Sequence, residues 1–415
     1  MAKVLLAINS GSSSVKISVF SATFRKTPQQ IAEAQVSGLT AGPVAVFYTC
    51  HNKTKKKAEK AWQPVEQQDD AFELLLGLFI DDPNLQEIKS KADIAITCHR
   101  IVHGGDYASS QLIGPVTYDN IEALSNLAPL HNRAALTIVR SCLDQLPDAA
   151  NIAYFDSQFH STIPEHIRTY PVNPDIARKN GLRKYGFHGL SYSFITRSVA
   201  GYLGKEIGEL SIIALHLGSG ASACAIKNGQ SWDTSMGLTP LAGLPGATRS
   251  GSVDPSLVFH YTNDVGKLTP YSTPELHISR AEDILNKQSG WKSLTGTTDF
   301  RAISESDDPA CKLAFDIFVD RICGFVGSYY VALRGQVDAL VFAGGIGEKS
   351  SKLRDRVAQS VSCLGFEIDD TSNAAEITDV VQDVSAKGSR HGVLVCQTDE
   401  QFEMARSCAE DERIW

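Results

Sequence analysis

The sequence has little that would form a disulfide framework, a metal cluster or a membrane segment. Its nine cysteines are scattered and none forms a CxxC pair, which argues against a zinc site and favours a reducing compartment. Its apolar runs are short, and the N-terminal run Val4–Ile8 reads as a buried strand rather than a signal peptide or a membrane span. These absences predict a cytoplasmic protein with no membrane partner.

Positive charge is scarce as well. The formal net charge is −8 at pH 7, and the one basic run, Lys53–Lys60, is short enough to be solvated surface. We therefore expect no nucleic-acid partner. The composition, 43% hydrophobic and 21% charged, is that of an ordinary globular chain, and a length of 415 residues predicts two domains.

The standard nucleotide-binding motifs are also missing. The chain has no GxxxxGK[ST] phosphate loop and no GxGxxG after a strand. Neither a P-loop enzyme, nor a dinucleotide-binding fold, nor a protein kinase is therefore expected.

What the chain does contain is an internal repeat. Val4–Phe20 is an apolar strand, a glycine–serine turn and an alternating strand, and Ser211–Gly229 repeats this plan about half the chain later. The repeat predicts two halves built on one three-strand plan, with chance similarity of two hairpins as the alternative. Backbone N–H groups at such turns can bind anions, so the two turns are expected to hold phosphates.

A third glycine-rich segment, Gly344–Ser350, follows the apolar strand Ala339–Ala343 and is interpreted as a loop that opens a helix. Apolar spacing predicts a long helix over Lys312–Arg334, and an amphipathic helix from Thr398 that docks on the first domain. Helices alternating with strands indicate an α/β protein, in which ligands bind at the carboxyl ends of the strands.

Charged and imidazole side chains stand among small residues in several predicted loops. Arg100 lies in HRIVHGG, Arg249 in TRSG and His188 in KYGFHG. Phosphoryl transfer needs positive groups around the phosphoryl oxygens more than covalent help. These residues and His131 are therefore candidate site residues, with structural ion pairs or scaffold roles as the alternatives.

Two acids are candidate magnesium ligands, because Mg²⁺ prefers carboxylate oxygens and retained waters. Asp156 lies in FDSQFH and Glu400 in QTDEQF. For Asp156, a helix cap or a hydrogen-bonding role is the alternative.

Taken in order, these segments resemble those of the acetokinase family, within the superfamily of acetate and sugar kinases, actin and heat-shock ATPases. The resemblance covers essentially the whole chain. The segments that carry it are NSGSSSVK, HRIVHGG, LAPLHN, FDSQFH, KYGFHG, HLGSGAS, TPLAGL, TRSG and GGIGE. It implies two similar α/β domains of the ribonuclease-H-like, actin-like type with an interdomain active-site cleft. We expect these domains at 1–157 plus 398–415 and at 158–397.

The resemblance also implies an activity. It is the reversible in-line transfer of a phosphoryl group between ATP and acetate, giving acetyl phosphate and ADP, with Mg²⁺ or Mn²⁺ as cofactor and a homodimer as the assembly. A propionate or butyrate kinase and a pyrophosphate-linked acetate kinase remain alternatives within the class. A nucleotide-driven scaffold or chaperone remains an alternative from another class, since fold does not fix function.

Residue roles follow from the same resemblance. Those expected in catalysis are Asp156, Arg100, Arg249, His188 and His131. Those expected to bind the acid are Arg100, Val102, Leu130, Phe187 and Pro240. Those expected to hold the metal are Asn9, Asp156 and Glu400. Those expected to contact the nucleotide are Asn9, Ser12, Lys16, His216, Gly218, Ser219, Gly220, Asp299, Phe300, Arg301, Gly345, Ile346 and Gly347. Phe300 is expected to offer an aromatic face to adenine.

The chain also departs from the family pattern. Ser219, Lys349 and Asp399 stand where asparagine is usual, and Ala242 and Ser252 replace acidic residues. These departures are expected to alter contacts to the phosphate donor more than contacts to the acid.

Overall fold

The chain folds into two compact units. This computed structural model describes residues 2–11, 13–39, 43–50, 54–58, 65, 67–124, 132–261, 264, 266–270, 272 and 278–415. Unit 1 comprises Met1–Gln158 together with Asp399–Trp415, and unit 2 comprises Phe159–Thr398.

Within the described residues, each unit contains one sheet. The strands of unit 1 are β1 Lys3–Ser10, β2 Ser14–Ala22, β3 Gln29–Ser37, β4 Ala45–Cys50, β5 Thr54–Ala58, β6 Ile94–Ile101, β7 Gln111–Leu112 and β8 Ala150–Phe155. The strands of unit 2 are β9 Ile212–Leu217, β10 Ala221–Lys227, β11 Gln230–Thr234, β12 Ala339–Ala343, β13 Val381–Asp383 and β14 Gly392–Cys396.

Helices cover the sheets. They are α1 Gln68–Ile80, α2 Pro115–Ala123, α3 Asn132–Gln145, α4 Glu165–Arg168, α5 Pro174–Asn180, α6 Gly189–Leu203, α7 Leu257–Tyr261, α8 Arg280–Lys287, α9 Gly290–Thr295, α10 Phe300–Glu305, α11 Pro309–Ala332, α12 Gly344–Lys349, α13 Ser351–Ser360, α14 Asp370–Ala374 and α15 Glu400–Glu410. None of the helices in the described ranges is long and apolar enough to cross a bilayer.

The sheet of unit 1 has the strand order β5-β4-β3-β2-β1-β6-β8-β7. Strands β1, β6 and β8 run parallel, whereas β1 to β5 form an antiparallel meander. The predicted strand at Val4–Ile8 is confirmed as part of β1. Leu5, Leu6 and Ala7 have no exposed surface, because α3 packs against β1 and the C-terminal helix α15 also covers β1, β2 and β6. A strand covered on both faces carries a continuous apolar run.

The sheet of unit 2 repeats this plan. Its order is β11-β10-β9-β12-β14-β13, with β9, β12 and β14 parallel. In unit 1 the corresponding order is β3-β2-β1-β6-β8-β7, and each sheet ends in a short antiparallel strand. The predicted repeat is therefore confirmed, and both units are α/β.

Two predictions about the glycine segment and its neighbours had different outcomes. The long helix predicted over Lys312–Arg334 is confirmed as α11. The interpretation of Gly344–Ser350 as a loop is wrong, because α12 begins directly at the end of β12. Gly344 has a left-handed backbone with φ +74°, and a Cβ there would lie 2.8 Å from the carbonyl oxygen of Leu217. Glycine is required at this position because the chain turns tightly over the neighbouring strand.

Candidate active site

The first group of predicted site residues lies at one edge of the unit 1 sheet. Asn9 is the next-to-last residue of β1, Arg100 is the next-to-last residue of β6, and Asp156 follows β8 directly. These three strands run parallel, so their carboxyl ends meet at the same edge. Glu400 reaches the same edge as the first residue of α15, whose N-terminus is capped by Asp399 through a bond from the Phe402 N–H.

The side chains of this unit 1 cluster are joined by direct bonds. The Arg100 guanidinium donates from Nε to Asp156 Oδ1 at 3.0 Å and from Nη2 to Oδ2 at 2.6 Å. It also donates from Nη1 to Asn9 Oδ1 at 3.1 Å and lies 3.4 Å from Glu400 Oε2. Asn9 Nδ2 donates to the same Glu400 oxygen at 3.1 Å.

Burial strengthens the attraction between the charged side chains of this cluster. The side chain of Asp156 is 1% exposed and that of Arg100 is 19% exposed. Burial lowers the pKa of Arg100, but the attraction of Asp156 and Glu400 outweighs it and raises that pKa above its ordinary value. A guanidinium has five N–H groups, and the bonds to described residues use three of them. One N–H on each Nη atom can therefore donate to an anionic ligand.

The unit 1 cluster also fits a magnesium ion by its donor chemistry. It offers two carboxylates and an amide oxygen, and its formal charge is negative because Arg100 balances one of its two acids. Within the described ranges no three His, Cys, Asp or Glu side chains converge as a complete metal cage. Mg²⁺ often binds through one or two carboxylates while it keeps waters and phosphate ligands. The donor set matches that pattern.

Lys16 lies beside this cluster. It pairs with Asn9 in the β1–β2 register, so the two side chains share one face of the sheet. Its ammonium group forms a 2.9 Å ion pair with Glu33, and both side chains are about one-third exposed. A pair this exposed contributes about 0–1 kcal/mol. The ammonium group can therefore exchange this partner for a phosphate at small cost.

The second group is built on the β9–β10 turn of unit 2. Gly218 N–H donates to the Gly220 carbonyl at 3.1 Å, which closes the turn around the exposed Ser219. A Cβ added at Gly220 would lie 3.1 Å from Arg249 Nη1 and 3.8 Å from His188 Nε2. The guanidinium and the imidazole therefore converge over a position that has no side chain.

His188 is held in place from two sides. Its backbone is left-handed, with φ +60°, at the start of α6. Its Nδ1 lies 2.8 Å from Ser222 Oγ, which in turn lies 2.6 Å from the Tyr192 hydroxyl. Its ring packs on that of His216 with 4.3 Å between centroids. With Nδ1 bound to Ser222, the Nε2 atom is directed toward Gly220.

Arg249 lies in a loop that is anchored to the same turn. Ala247 N–H donates to the Ser219 carbonyl at 2.8 Å, and Gly246 N–H donates to the Arg249 carbonyl at 3.0 Å. The Ser219 carbonyl that accepts from Ala247 belongs to the backbone. A serine at this position, where the family usually has asparagine, therefore preserves the bond between the loop and the turn. Ser252 closes the other end of the loop by accepting from the Gly243 N–H at 2.9 Å.

A third group lines a cavity of about 450 Å³ in unit 2. Its walls come from α10, α12 and the start of α13. The lining residues are Asp299, Phe300, Arg301, Ser304, Glu305, Gly345, Ile346, Lys349, Ser350, Ser351 and Lys352. We call this cavity the α10–α12 pocket.

A model of the acetokinase family matches residues 4–406. The chain belongs to the acetokinase family. A curated relative from Neurospora crassa, described as a probable acetate kinase, is 59% identical and is aligned over 100% of this chain and 95% of its own length.

Solved structures agree with this membership. The acetate kinase of Porphyromonas gingivalis superposes with a TM-score of 0.82 at 32% identity, covering 98% of each chain. A propionate kinase from Francisella tularensis also superposes with a TM-score of 0.82, at 33% identity, covering 97% of this chain and 98% of its own. The acetokinase-family chain therefore has the predicted actin-like α/β fold.

Two of the residues predicted to contact the nucleotide of this acetokinase-family chain are buried. Phe300 is 5% exposed, and its ring packs against those of Trp291 and Phe318, with centroids 5.3 and 5.2 Å away. Phe300 also lines the α10–α12 pocket, and its contact with adenine stays a prediction. Gly347 is buried outside the pocket lining, where a Cβ would lie 3.4 Å from the Phe342 backbone.

The remaining predicted residues differ in where they lie. Ser12, Leu130 and His131 lie outside the described residues. Val102 is half-buried in unit 1, whereas Phe187 and Pro240 are buried in unit 2.

One residue that the motifs contained was missed. His160, the last residue of FDSQFH, is buried in unit 2, with Nδ1 2.7 Å from Ser231 Oγ and Nε2 2.9 Å from the Phe187 carbonyl. Burial lowers the pKa of His160 to about 4, so the ring is neutral near pH 7. It fixes the segment that carries His188, and its place in a family motif was the signal that could have identified it.

Proposed function

We propose that this protein is an ATP:acetate phosphotransferase, which transfers the terminal phosphoryl group of ATP to acetate in a reversible reaction. The observation that carries the proposal is the convergence of Arg249 and His188 over Gly220 at the β9–β10 turn. The full-length similarity to relatives described as acetate kinases supports it.

The acceptor needs no general base. A carboxylate is ionised at neutral pH, so its oxygen can attack phosphorus directly. We assign Arg100 to the acid, because the two N–H groups left on its Nη atoms match the two oxygens of a carboxylate. Asp156 fixes the plane of the guanidinium through two bonds and so orients those donors.

Arg249 and His188 act on the phosphoryl group. In the transition state, charge spreads over the three equatorial oxygens of that group. A guanidinium and a ring N–H placed over a glycine turn can reach these oxygens, while the turn lets a phosphate approach the backbone closely. A single such donor is worth about 10²–10³-fold in turnover.

Asn9, Asp156 and Glu400 would hold Mg²⁺ or Mn²⁺. When bound, the cation would neutralise negative charge on the phosphates of ATP. Lys16, on the same face of the sheet as Asn9, would add an ammonium group to the phosphate site.

The α10–α12 pocket is assigned to the nucleoside part of ATP. Its volume of about 450 Å³ lies in the range of small-molecule sites. Gly345 is exposed and a Cβ there would meet nothing within 4 Å, so the backbone of α12 is open to a ligand. Pyrophosphate has no base or ribose that could use such a pocket.

Propionate is the second candidate acceptor, because the propionate kinase structure superposes as well as the acetate kinase structure. We assign Val102, Leu130, Phe187 and Pro240 to the methyl group of the acid. In a fitted apolar pocket one methylene changes specificity by about 1–3 kcal/mol. Acetate is therefore expected to exceed propionate and butyrate in kcat/KM.

The test is a hydroxamate assay of acyl phosphate formation with the three acids, each with ATP and with pyrophosphate. Acetate with ATP is expected to give the highest kcat/KM. Equal use of the three acids would contradict the acceptor assignment, and turnover with pyrophosphate alone would contradict the donor assignment.

The assembly and location are proposals as well. We propose a homodimer, which light scattering after gel filtration can test. We also propose a reducing, cytoplasmic location, supported by nine cysteines that are all free thiols. The two domains at 1–157 plus 398–415 and at 158–397 stay a prediction, for which limited proteolysis near their boundaries is the test.

A further inference from the structure

Arg354, on α13, is the largest of the fully buried side chains among the described residues, at 2% exposure. Charged residues are almost never buried this fully unless they are paired. Within the described part of the chain no carboxylate lies within ion-pair distance of it, and burial lowers its pKa to about 10. It is therefore still a cation near pH 7, and its partners are neutral groups.

Two of those partners lie at the end of α12. Arg354 Nη1 donates to the Gly347 and Glu348 carbonyls at 2.9 and 2.8 Å. The last carbonyls of a helix have no partner within the helix and carry partial negative charge, so a cation there stabilises the last turn. Arg354 thus fixes the carboxyl end of the short helix that forms one wall of the α10–α12 pocket.

Asn373, on α14, fixes Arg354 in turn. Its Oδ1 and its backbone carbonyl each accept from the guanidinium, at 2.7 Å from Nε and from Nη2. Its Nδ2 donates to the Ser351 carbonyl at 3.0 Å. The guanidinium is therefore locked in one orientation, although neither Arg354 nor Asn373 lines the pocket.

We propose that Arg354 is a positioning residue that sets the shape of the α10–α12 pocket by holding α12, and so determines affinity for the nucleotide but not for the acid. The inference rests on the proposed function of that pocket as the nucleoside site. Gly345, Ile346 and Lys349 all lie on α12 and line the pocket, so a shift of the helix moves one whole wall.

The test compares three variants with a matched control. Arg354→Gln removes the cation, and Arg354→Lys keeps the charge but removes the planar set of N–H donors. Asn373→Ala removes the Oδ1 atom that accepts from Arg354 Nε. Arg356→Gln is the control, because Arg356 lies on the same helix but is half-exposed and pairs with Asp316 at 3.4 Å. The measurements are kcat, KM for ATP, KM for acetate, and the Kd of ADP by calorimetry.

Arg354→Gln is expected to raise the KM for ATP and the Kd of ADP about tenfold or more, with the KM for acetate within about twofold, because small misplacements of a binding wall are costly. Arg354→Lys and Asn373→Ala are expected to give about threefold changes of the same kind. The control is expected to match the unmodified protein. A purely structural role would lower the active fraction, and so kcat, with both KM values unchanged.

Hydrogen exchange adds a second readout. Amides of 344–349 are expected to exchange faster in Arg354→Gln, while those of α11 keep their protection. If Arg354→Gln does not fold, Arg354→Lys and Asn373→Ala decide. An ATP KM and an ADP Kd within twofold of the unmodified values in folded variants would overturn the proposal. If the unmodified protein binds ADP but makes no acetyl phosphate, the proposed function fails while the ADP titrations still test Arg354.

Discussion

The two sheets share one strand plan, and each unit places an arginine at one edge of its sheet. The surroundings of the two arginines differ. In unit 1, Arg100 is fixed by two bonds to the buried Asp156. In unit 2, Arg249 extends from a glycine-rich loop over Gly220 and beside His188. The first arrangement suits a rigid, partly neutralised site for a carboxylate and a metal ion. The second places a guanidinium beside an imidazole over a turn whose N–H groups suit a phosphate.

We infer from this difference that strand order sets where polar side chains gather but not which ligand they suit. In both sheets the parallel strands bring their carboxyl ends to one edge. In unit 1 that edge receives two acids, one of them from α15, which the chain supplies only at its C-terminal end. The following predictions test whether the units differ in this way.

The largest effects are expected for the two arginines. Arg100→Ala and Arg249→Ala should each lower kcat/KM about a hundredfold or more, because each removes a cation from a site of developing charge. Only Arg100→Ala should also lower the free energy of unfolding, by about 3–5 kcal/mol, because it leaves the buried Asp156 without its cation.

Steady-state kinetics and urea unfolding measure both quantities. The double variant Arg100→Ala/Asp156→Ala serves as the control and should regain part of the lost stability, since it removes the uncompensated acid as well. Equal stability losses in Arg100→Ala and Arg249→Ala would remove the distinction between the units.

The next effect concerns a buried histidine in each unit. Burial lowers the pKa of His99 in unit 1 and of His160 in unit 2 to about 4. Below the ordinary histidine pKa of about 6.5, the unfolded chain binds these protons and the folded chain does not. The contribution of each neutral histidine to the free energy of unfolding is therefore fully present above about pH 6.5. As the pH drops from there toward about 4, the free energy of unfolding falls by about 1.4 kcal/mol per pH unit for each histidine.

Midpoints of urea unfolding measured from pH 7.5 to pH 4.5 test whether the buried histidine of each unit contributes to this pH dependence. His99→Gln and His160→Gln should each make stability less dependent on pH in the acid range. A slope that stays the same in either variant would show that the histidine of that unit is already protonated in the folded state.

The smallest effect separates the two glycine turns. A Cβ at Gly220 would lie 3.1 Å from Arg249 Nη1, whereas the nearest atom to a Cβ at Gly11 is 3.9 Å away. Gly220→Ala should lower kcat about tenfold by displacing the guanidinium, and Gly11→Ala should change it less than about twofold. Near-identical melting temperatures would confirm that both variants remain folded. Equal kinetic effects would indicate that the turns hold phosphate by backbone alone.

Much of the fold could be predicted because its signals are local. The apolar run of β1 and the glycine–serine turns recur in β9 and β10, so the repeat was visible in the chain. The three glycines of α12 argued against a helix, since each costs about 1 kcal/mol relative to alanine. Tertiary contacts outweigh that cost here, because Arg354 holds the last turn.

The site was predictable only where motifs carried it. Arg100, Asp156 and Glu400 are far apart in sequence, and their bonds depend on the parallel strand order and on α15. The burial of Phe300 in the core beside the α10–α12 pocket was not predictable, because sequence does not reveal whether an aromatic ring joins the core or faces a pocket. Arg354 was missed because an arginine on an otherwise polar helix is ordinarily exposed.

The central claim is that Arg249 stabilises the phosphoryl group in the transition state of transfer and not the bound nucleotide. Aluminium fluoride with ADP, magnesium and acetate mimics that planar group, and transition-state analogues bind far more tightly than substrates. Calorimetry should show that Arg249→Ala keeps the Kd of ADP within about threefold of the unmodified value but loses most of the gain from fluoride, about a hundredfold or more. Equal losses of affinity for ADP and for the fluoride complex would contradict the claim.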